Sequence, residues 1–304
     1  MEGIDQVNQL PHLLVIVFSL IVFFFVNHIA LYNGYYQLPS DDESLLNDTS
    51  ALTFLKLLGV FAVFFISNIL VVFGLKMYLL FKERLPFFKD IPLEAKFNPS
   101  FMGWIDLSFI VFSLIALVLY SIFLGRATCK AFAGIHFFDS FNRRLRDFGM
   151  GVMSILICYP LVTSVNESIG VIFDFFHIPS VEQVPVEKIR HILQDRTLFF
   201  FTSLGVLLIV PVAEEILFRG YLQTWIMNTL GRPAAIIITS VVFAAFHYAD
   251  KQGIRNVQIV GTLFVLSLFL SFIKERQQSL WASIGLHSTF NAIALSAIFF
   301  ESLS

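Results

Sequence analysis

Charged positions are so sparse along this chain that they divide it like rungs. Stretches without Asp, Glu, Lys or Arg run over 6–40, 57–75, 107–125, 148–166, 197–213, 233–249, 256–273 and 277–300, each 17 residues or longer. A helix needs about 20 mainly apolar residues to cross the hydrocarbon core, with a range of about 17–25. Helix is the expected form, because lipid leaves every backbone polar group to be satisfied inside its own segment. The runs are too long and too uniformly apolar for barrel strands, which alternate over about 10 residues. The pattern predicts an all-α, polytopic membrane helix bundle of about eight transmembrane helices.

The first run, Leu13 to Tyr32, is read as an uncleaved membrane helix. The tail before it carries Glu2 and Asp5 but no Lys or Arg, so the positive region of a signal peptide is missing. Orientation is less legible. The loop 33–53 holds Asp41, Asp42, Glu43 and Asp48, which suggests the outside, whereas 82–104 holds Lys82, Arg84, Lys89 and Lys96. The next loop, 126–147, is basic again, with Arg126, Lys130, Arg143, Arg144 and Arg146. Two consecutive basic loops conflict with strict alternation, and the pattern leans only weakly to a cytoplasmic N-terminus.

Between the runs, Pro185-Val-Glu-Lys-Ile-Arg-His-Ile-Leu-Gln-Asp-Arg196 places Val186, Ile189, Ile192 and Leu193 on one helical face. With Pro185 in the first turn, this reads as an amphipathic helix lying at the membrane surface. A plain polar connector is the simpler alternative.

Composition points the same way. Of 304 residues, 57% are hydrophobic and 14% charged, with mean hydropathy +0.79. An ordinary soluble domain is about 25% charged. Soluble and disordered classes are excluded, and a net charge of -2 gives no basic footprint for nucleic acid. The lipid bilayer is the first partner implied, and a multi-pass protein of a plasma or inner membrane is expected. The 37 Phe suit lipid-facing surface, and Cys129 and Cys158 form no CxxC pair or disulfide framework. Residues 1–147 form an N-terminal transmembrane region without an assignable motif. Residues 148–304 form a second region whose polar groups cluster over about 195–300.

Ionisable groups at membrane depth cost at least about 2.5–3.5 kcal/mol each on insertion scales, so each needs a reason. Lys56 and Lys76 bound a span and can snorkel. Glu167, next to Asn166 near the end of its run, marks either the interface or a functional position. In Val210-Pro-Val-Ala-Glu-Glu-Ile-Leu-Phe-Arg219, two carboxylates end an apolar run. Glu215 and Arg219 are i and i+4, in the favourable order for an ion pair. Glu214 points about 100° away around the helix and has no partner in its own segment. A carboxylate so placed is a candidate general base, or else an ordinary solvated acid at a helix end.

His247 closes the run Val242-Phe-Ala-Ala-Phe-His247, and His287 and Asn291 share one face of the last run. Gly285 and Ser288 beside them are small enough to let helices approach. Each feature alone has a bland structural reading. Together, one carboxylate, two imidazoles and a carboxamide on three helices form a set able to activate water and hold an oxyanion.

Three motifs carry a family resemblance. Glu214-Glu215-Ile-Leu-Phe-Arg219, Phe243-Ala-Ala-Phe-His247 and His287-Ser-Thr-Phe-Asn291 follow EExxxR, FxxxH and HxxxN in order. They resemble the CPBP family, which holds the type II CAAX prenyl endopeptidases and the bacteriocin-processing or self-immunity (Abi) proteins. The resemblance covers about one third of the chain and implies an intramembrane endopeptidase, a hydrolase cutting a peptide bond near the membrane surface. It implies Glu214, His247, His287 and Asn291 as catalytic positions, with Glu215, Arg219 and Phe243 in support. A peptide or lipid-anchored protein is the implied substrate.

Two mechanisms remain open. Glu214, His247 and His287 offer the three protein ligands of a catalytic zinc site, but the HExxH helix is absent. A glutamate-activated water needs no cofactor and is the favoured reading. A non-catalytic binding or immunity protein, or a transporter, could use the same polar pocket. Paired half-repeats expected of a transporter are not found.

Overall fold

The computed structural model describes residues 2–39, 52–82, 99–134, 136–179 and 183–302. The fold is an all-α polytopic bundle. Its helices are α1 (Glu2–Tyr32), α2 (Phe54–Lys82), α3 (Pro99–Phe123), α4 (Arg126–Ala133) and α5 (Phe141–Phe175). They are followed by α6 (Val184–Ile192), α7 (Arg196–Leu230), α8 (Arg232–Phe246), α9 (Asn256–Gln277) and α10 (Leu280–Glu301). A short 3-10 stretch, Asp250–Arg255, joins α8 to α9. The chain is a multi-pass integral membrane protein, and its outward surface is correspondingly apolar. Phe18, Ile21, Phe24 and Phe25 of α1 are all exposed on the monomer.

Among the described residues, seven helices are long and apolar enough to cross a membrane. The run expected at 233–249 is the exception, since α8 has only 15 residues. At 1.5 Å per residue it reaches about 22 Å, short of a core about 30 Å thick. It still returns the chain along the whole of α9. At its start, Arg232 Nε lies 3.6 Å from Glu275 Oε2, near the end of α9. Just past its end, the Ala249 N–H donates to Asn256 Oδ1 (2.9 Å) and Asn256 Nδ2 donates to the Ala249 carbonyl (2.8 Å), at the start of α9.

Two hydrophobic clusters hold the bundle. One joins α2, α3, α4 and the middle of α7 through Leu57, Leu117, Phe132, Phe218 and Tyr221. The other joins α5, α9 and α10 through Ile157, Val162, Leu266, Leu270 and Leu286, with Cys158 fully buried as a small core residue. α5 and α10 touch backbone to backbone. A Cβ on Gly285 would stand 2.3 Å from the Phe148 carbonyl oxygen, and one on Gly151 would stand 1.9 Å from that of Ala282.

After α1 the chain is pinned to α5 and to the end of α9. The Tyr35 hydroxyl donates to Ser154 Oγ (2.8 Å), and Arg276 Nε donates to the Tyr35 carbonyl. Burial pushes the Tyr35 phenol up to about 12, so it serves as a neutral donor.

The amphipathic segment is helical as expected over α6. Ile189 and Ile192 are buried and Lys188 and Arg190 exposed. Lys188 Nζ donates to Asp106 Oδ2 of α3 at 2.7 Å. The side chains of Pro185 and Lys82, and the loop charges Asp41, Asp42, Glu43, Asp48, Arg84, Lys89 and Lys96, lie outside the described residues.

Candidate active site

The polar groups of the second half meet where α7, α8 and α10 converge. α7 is not a uniform helix there. Two π-helical turns, Gly205–Ile209 and Ile216–Leu222, flank the α-helical Val210–Glu215. Pro211 has no N–H to donate to the preceding turn, and such wide turns inside α-helices gather at functional sites. They set the direction in which Glu214 and Glu215 leave the helix.

Glu215 is fully buried, and the expected pair is present: Arg219 Nη1 donates to Glu215 Oε1 at 3.0 Å. The same oxygen accepts from His287 Nδ1 at 2.9 Å. Arg219, also fully buried, donates from Nη2 to Ser267 Oγ, and its guanidinium lies over the Phe243 ring, 4.2 Å from the centroid. Phe243 in turn packs against both imidazoles, with ring centroids 4.7 Å from His247 and 5.9 Å from His287. Phe243, Glu215 and Arg219 thus form the buried backing of the two histidines.

Glu214 faces the other way. Its Oε2 is buried and makes no direct hydrogen bond. It stands 3.8 Å from His287 Nε2 and 3.9 Å from His247 Nε2. The tautomers follow from the other ring nitrogens. His247 Nδ1 lies 2.8 Å from the Phe243 carbonyl, which can only accept, so Nδ1 carries the proton. His287 Nδ1 lies against a carboxylate oxygen that also accepts a hydrogen bond from Arg219, and the same assignment holds. In the neutral rings both Nε2 atoms therefore offer lone pairs toward Glu214. Three acceptors meet around one gap, and the gap is wider than a direct hydrogen bond.

Asn291 lies one turn beyond His287 and lines the same cavity, of about 230 Å³, as Glu214, His247, His287 and Phe243. Its Nδ2 donates to the Val206 carbonyl (2.9 Å), in the first π-helical turn. An amide nitrogen has two hydrogens, so a second donor remains. All four side chains singled out for chemistry thus face one cavity. Sequence reasoning missed the contact of His287 with Glu215. It also missed Gln183 and Gln252, which line the cavity from α6's start and from the 3-10 stretch. Neither glutamine lies in a charge-poor span, so nothing in the hydropathy pattern marked them.

These residues lie within a recognisable family segment. Residues 196–293 match the family model of Rce1-like type II CAAX prenyl endopeptidases. The match runs from the start of α7 into α10 and includes every one of the three motifs. It bears out the resemblance drawn from those motifs and supports a membrane protease of the CAAX kind. No curated protein and no solved structure matches the chain significantly.

The zinc alternative requires Glu214, His247 and His287 to converge as ligands. Among the described residues, no group of three or more His, Cys, Asp or Glu side chains is placed to hold a metal ion. No step below is routed through a metal.

Proposed function

We propose that the protein is an intramembrane endopeptidase that hydrolyses a peptide bond near the membrane surface with a water activated by Glu214. The observation that carries this reading is the gap between Glu214 Oε2 and the two Nε2 atoms, at 3.8 and 3.9 Å. Three acceptors around a buried gap call for a donor, and one water supplies two O–H groups.

In the first step Glu214 takes a proton from that water while the oxygen attacks the scissile carbonyl carbon. The carbon becomes tetrahedral and its carbonyl oxygen becomes an oxyanion. The free hydrogen of the Asn291 amide is placed to donate to it, with the His287 ring beside it on the same helix face. Glu214, now a carboxylic acid, returns the proton to the leaving amine as the C–N bond breaks. His247, held through Nδ1 on its own helix, orients the water through Nε2. The buried Glu215–Arg219 pair and Phe243 act by positioning the imidazoles. The cycle balances without a cofactor, and the proposed mechanism is metal-free.

The family match makes a peptide ending in a prenylated cysteine and three further residues the first substrate to test. Glu214→Gln is expected to abolish its cleavage, and His247→Ala to lower kcat/KM by about 10²–10⁴-fold, in protein that still inserts and elutes as wild type. Turnover retained by Glu214→Gln would sink the mechanism. Activity should also survive exhaustive chelation; loss on chelation with recovery on adding zinc would favour the metal route instead.

A further inference from the structure

A second cavity, of about 300 Å³, adjoins the one just described. The two share Gln183, Ile259, Leu263 and Phe290 as walls. Its distinctive lining is polar: Thr163, Asn166 and Glu167 from α5, and Thr262 from α9. Along α10 it is reached about one turn beyond Asn291, at Ala294. One helical turn is about 5.4 Å, the reach of about two residues of extended peptide.

This annex is constructed around Glu167. Asn166 is fixed first: its Oδ1 accepts from Gln258 Nε2 (3.2 Å) and Thr262 Oγ1 (3.4 Å), and its backbone carbonyl from Gln258 Nε2 (3.0 Å). Asn166 Nδ2 then donates to Glu167 Oε1 (3.2 Å), and His12 Nδ1 of α1 lies 2.7 Å from Glu167 Oε2. A carboxylate offers about four lone-pair sites, and these contacts use two. Among the described residues, no Lys or Arg lines the annex. The Glu167 carboxylate is thus held in place beside an apolar wall, with the His12 ring as its one ionisable partner among the described contacts.

We propose that the annex receives a cationic side chain, lysine or arginine, of the substrate peptide, within three residues of the scissile bond. Glu167 is then a specificity-determining residue. The inference rests on the neighbouring cavity being the catalytic one. A purely structural role, tying α1 to α5 through His12, would leave the charge preference of the site unaffected.

The test measures binding of fluorescent prenylated peptides to full-length Glu214→Gln protein in nanodiscs, where cleavage cannot interfere. Lys, norleucine or Glu is placed in turn at each of the three positions flanking the scissile bond. At one position the Lys peptide is expected to bind about tenfold more tightly than the norleucine peptide, the factor given by 1.4 kcal/mol. Adding Glu167→Gln should bring that ratio close to one, and Glu167→Lys should shift preference to the Glu peptide. No lysine-dependent binding at any position, or a preference that persists with Glu167→Gln, overturns the proposal. Cleavage by the wild-type protein is scored separately. Lysine preference without any cleavage would sink the catalytic reading and leave the annex as the cation-binding part of a non-catalytic peptide pocket.

Discussion

Two neighbouring carboxylates meet opposite fates in this bundle, and the difference comes from their partners. Glu215 is enclosed by Arg219 and His287, whereas Glu214 Oε2 meets only ring nitrogens across a gap. A buried ion pair contributes little net stability, but breaking one is costly because the remaining charge is stranded. Arg219→Met is therefore expected to destabilise the protein by about 3–5 kcal/mol, seen as a lowered thermal midpoint in detergent. Glu215→Gln combined with Arg219→Met should recover much of that loss, since no charge is then stranded. A double variant no better than Arg219→Met would show that the pair matters through its shape and not its charge. The Glu215–Arg219 pair was legible in the sequence because both residues share one helix at i and i+4. The surroundings of Glu214 were not, because its neighbours come from α8 and α10, and their register is set by packing between helices.

At the scale of elements, the closest contact supporting the site is between α5 and α10. Gly285 lies two residues before His287, and its missing Cβ is what lets α10 approach the Phe148 carbonyl. Backbone on both sides leaves nothing flexible to yield, so Gly285→Ala must push the helices apart. Overpacking of this kind costs about 1–3 kcal/mol. Gly149→Ala is the control, since a Cβ there meets nothing within 4 Å. The expected outcome is a lower thermal midpoint and weaker cleavage for Gly285→Ala, with wild-type behaviour for Gly149→Ala. Equal behaviour of the two would mean that the α5–α10 contact is looser than its backbone distances imply. The sequence pointed to Gly285 as a small residue near the motifs. It did not reveal Gly151 as the counterpart, nor the two π-helical turns of α7. Such turns arise where backbone hydrogen bonding is renegotiated around Pro211 and packing, and hydropathy carries no trace of that.

For the whole molecule, the short helix α8 decides the topology. Counting only helices of spanning length gives seven, and an odd number would put the two ends of the chain on opposite sides of the membrane. The contacts argue for eight passages. Arg232 meets Glu275 at one end of α9, and Ala249 meets Asn256 at the other, so α8 and its following turn travel back along all of α9. Other ties agree with this assignment. Tyr35, after α1, meets Arg276, after most of α9, whereas His12, early in α1, meets Glu167, late in α5. The start of α1 and the end of α10 therefore lie at the same end of the bundle. The residues that line the cavity from that end are Gln183 and Gln252, so the site opens toward the side that carries both termini. The charge-free runs predicted about eight crossings, against seven helices of spanning length and the short α8 among the described residues. They could not show that one is built from a helix too short to span, because composition measures apolar length and not where a chain turns. Reporter fusions at the two termini are expected to report the same side of the membrane, and a cysteine introduced at Lys251, exposed next to Gln252, should react with an impermeant maleimide from that side. Termini on opposite faces would mean that α8 does not complete its passage, and His247 would then have to approach Glu214 by a different path.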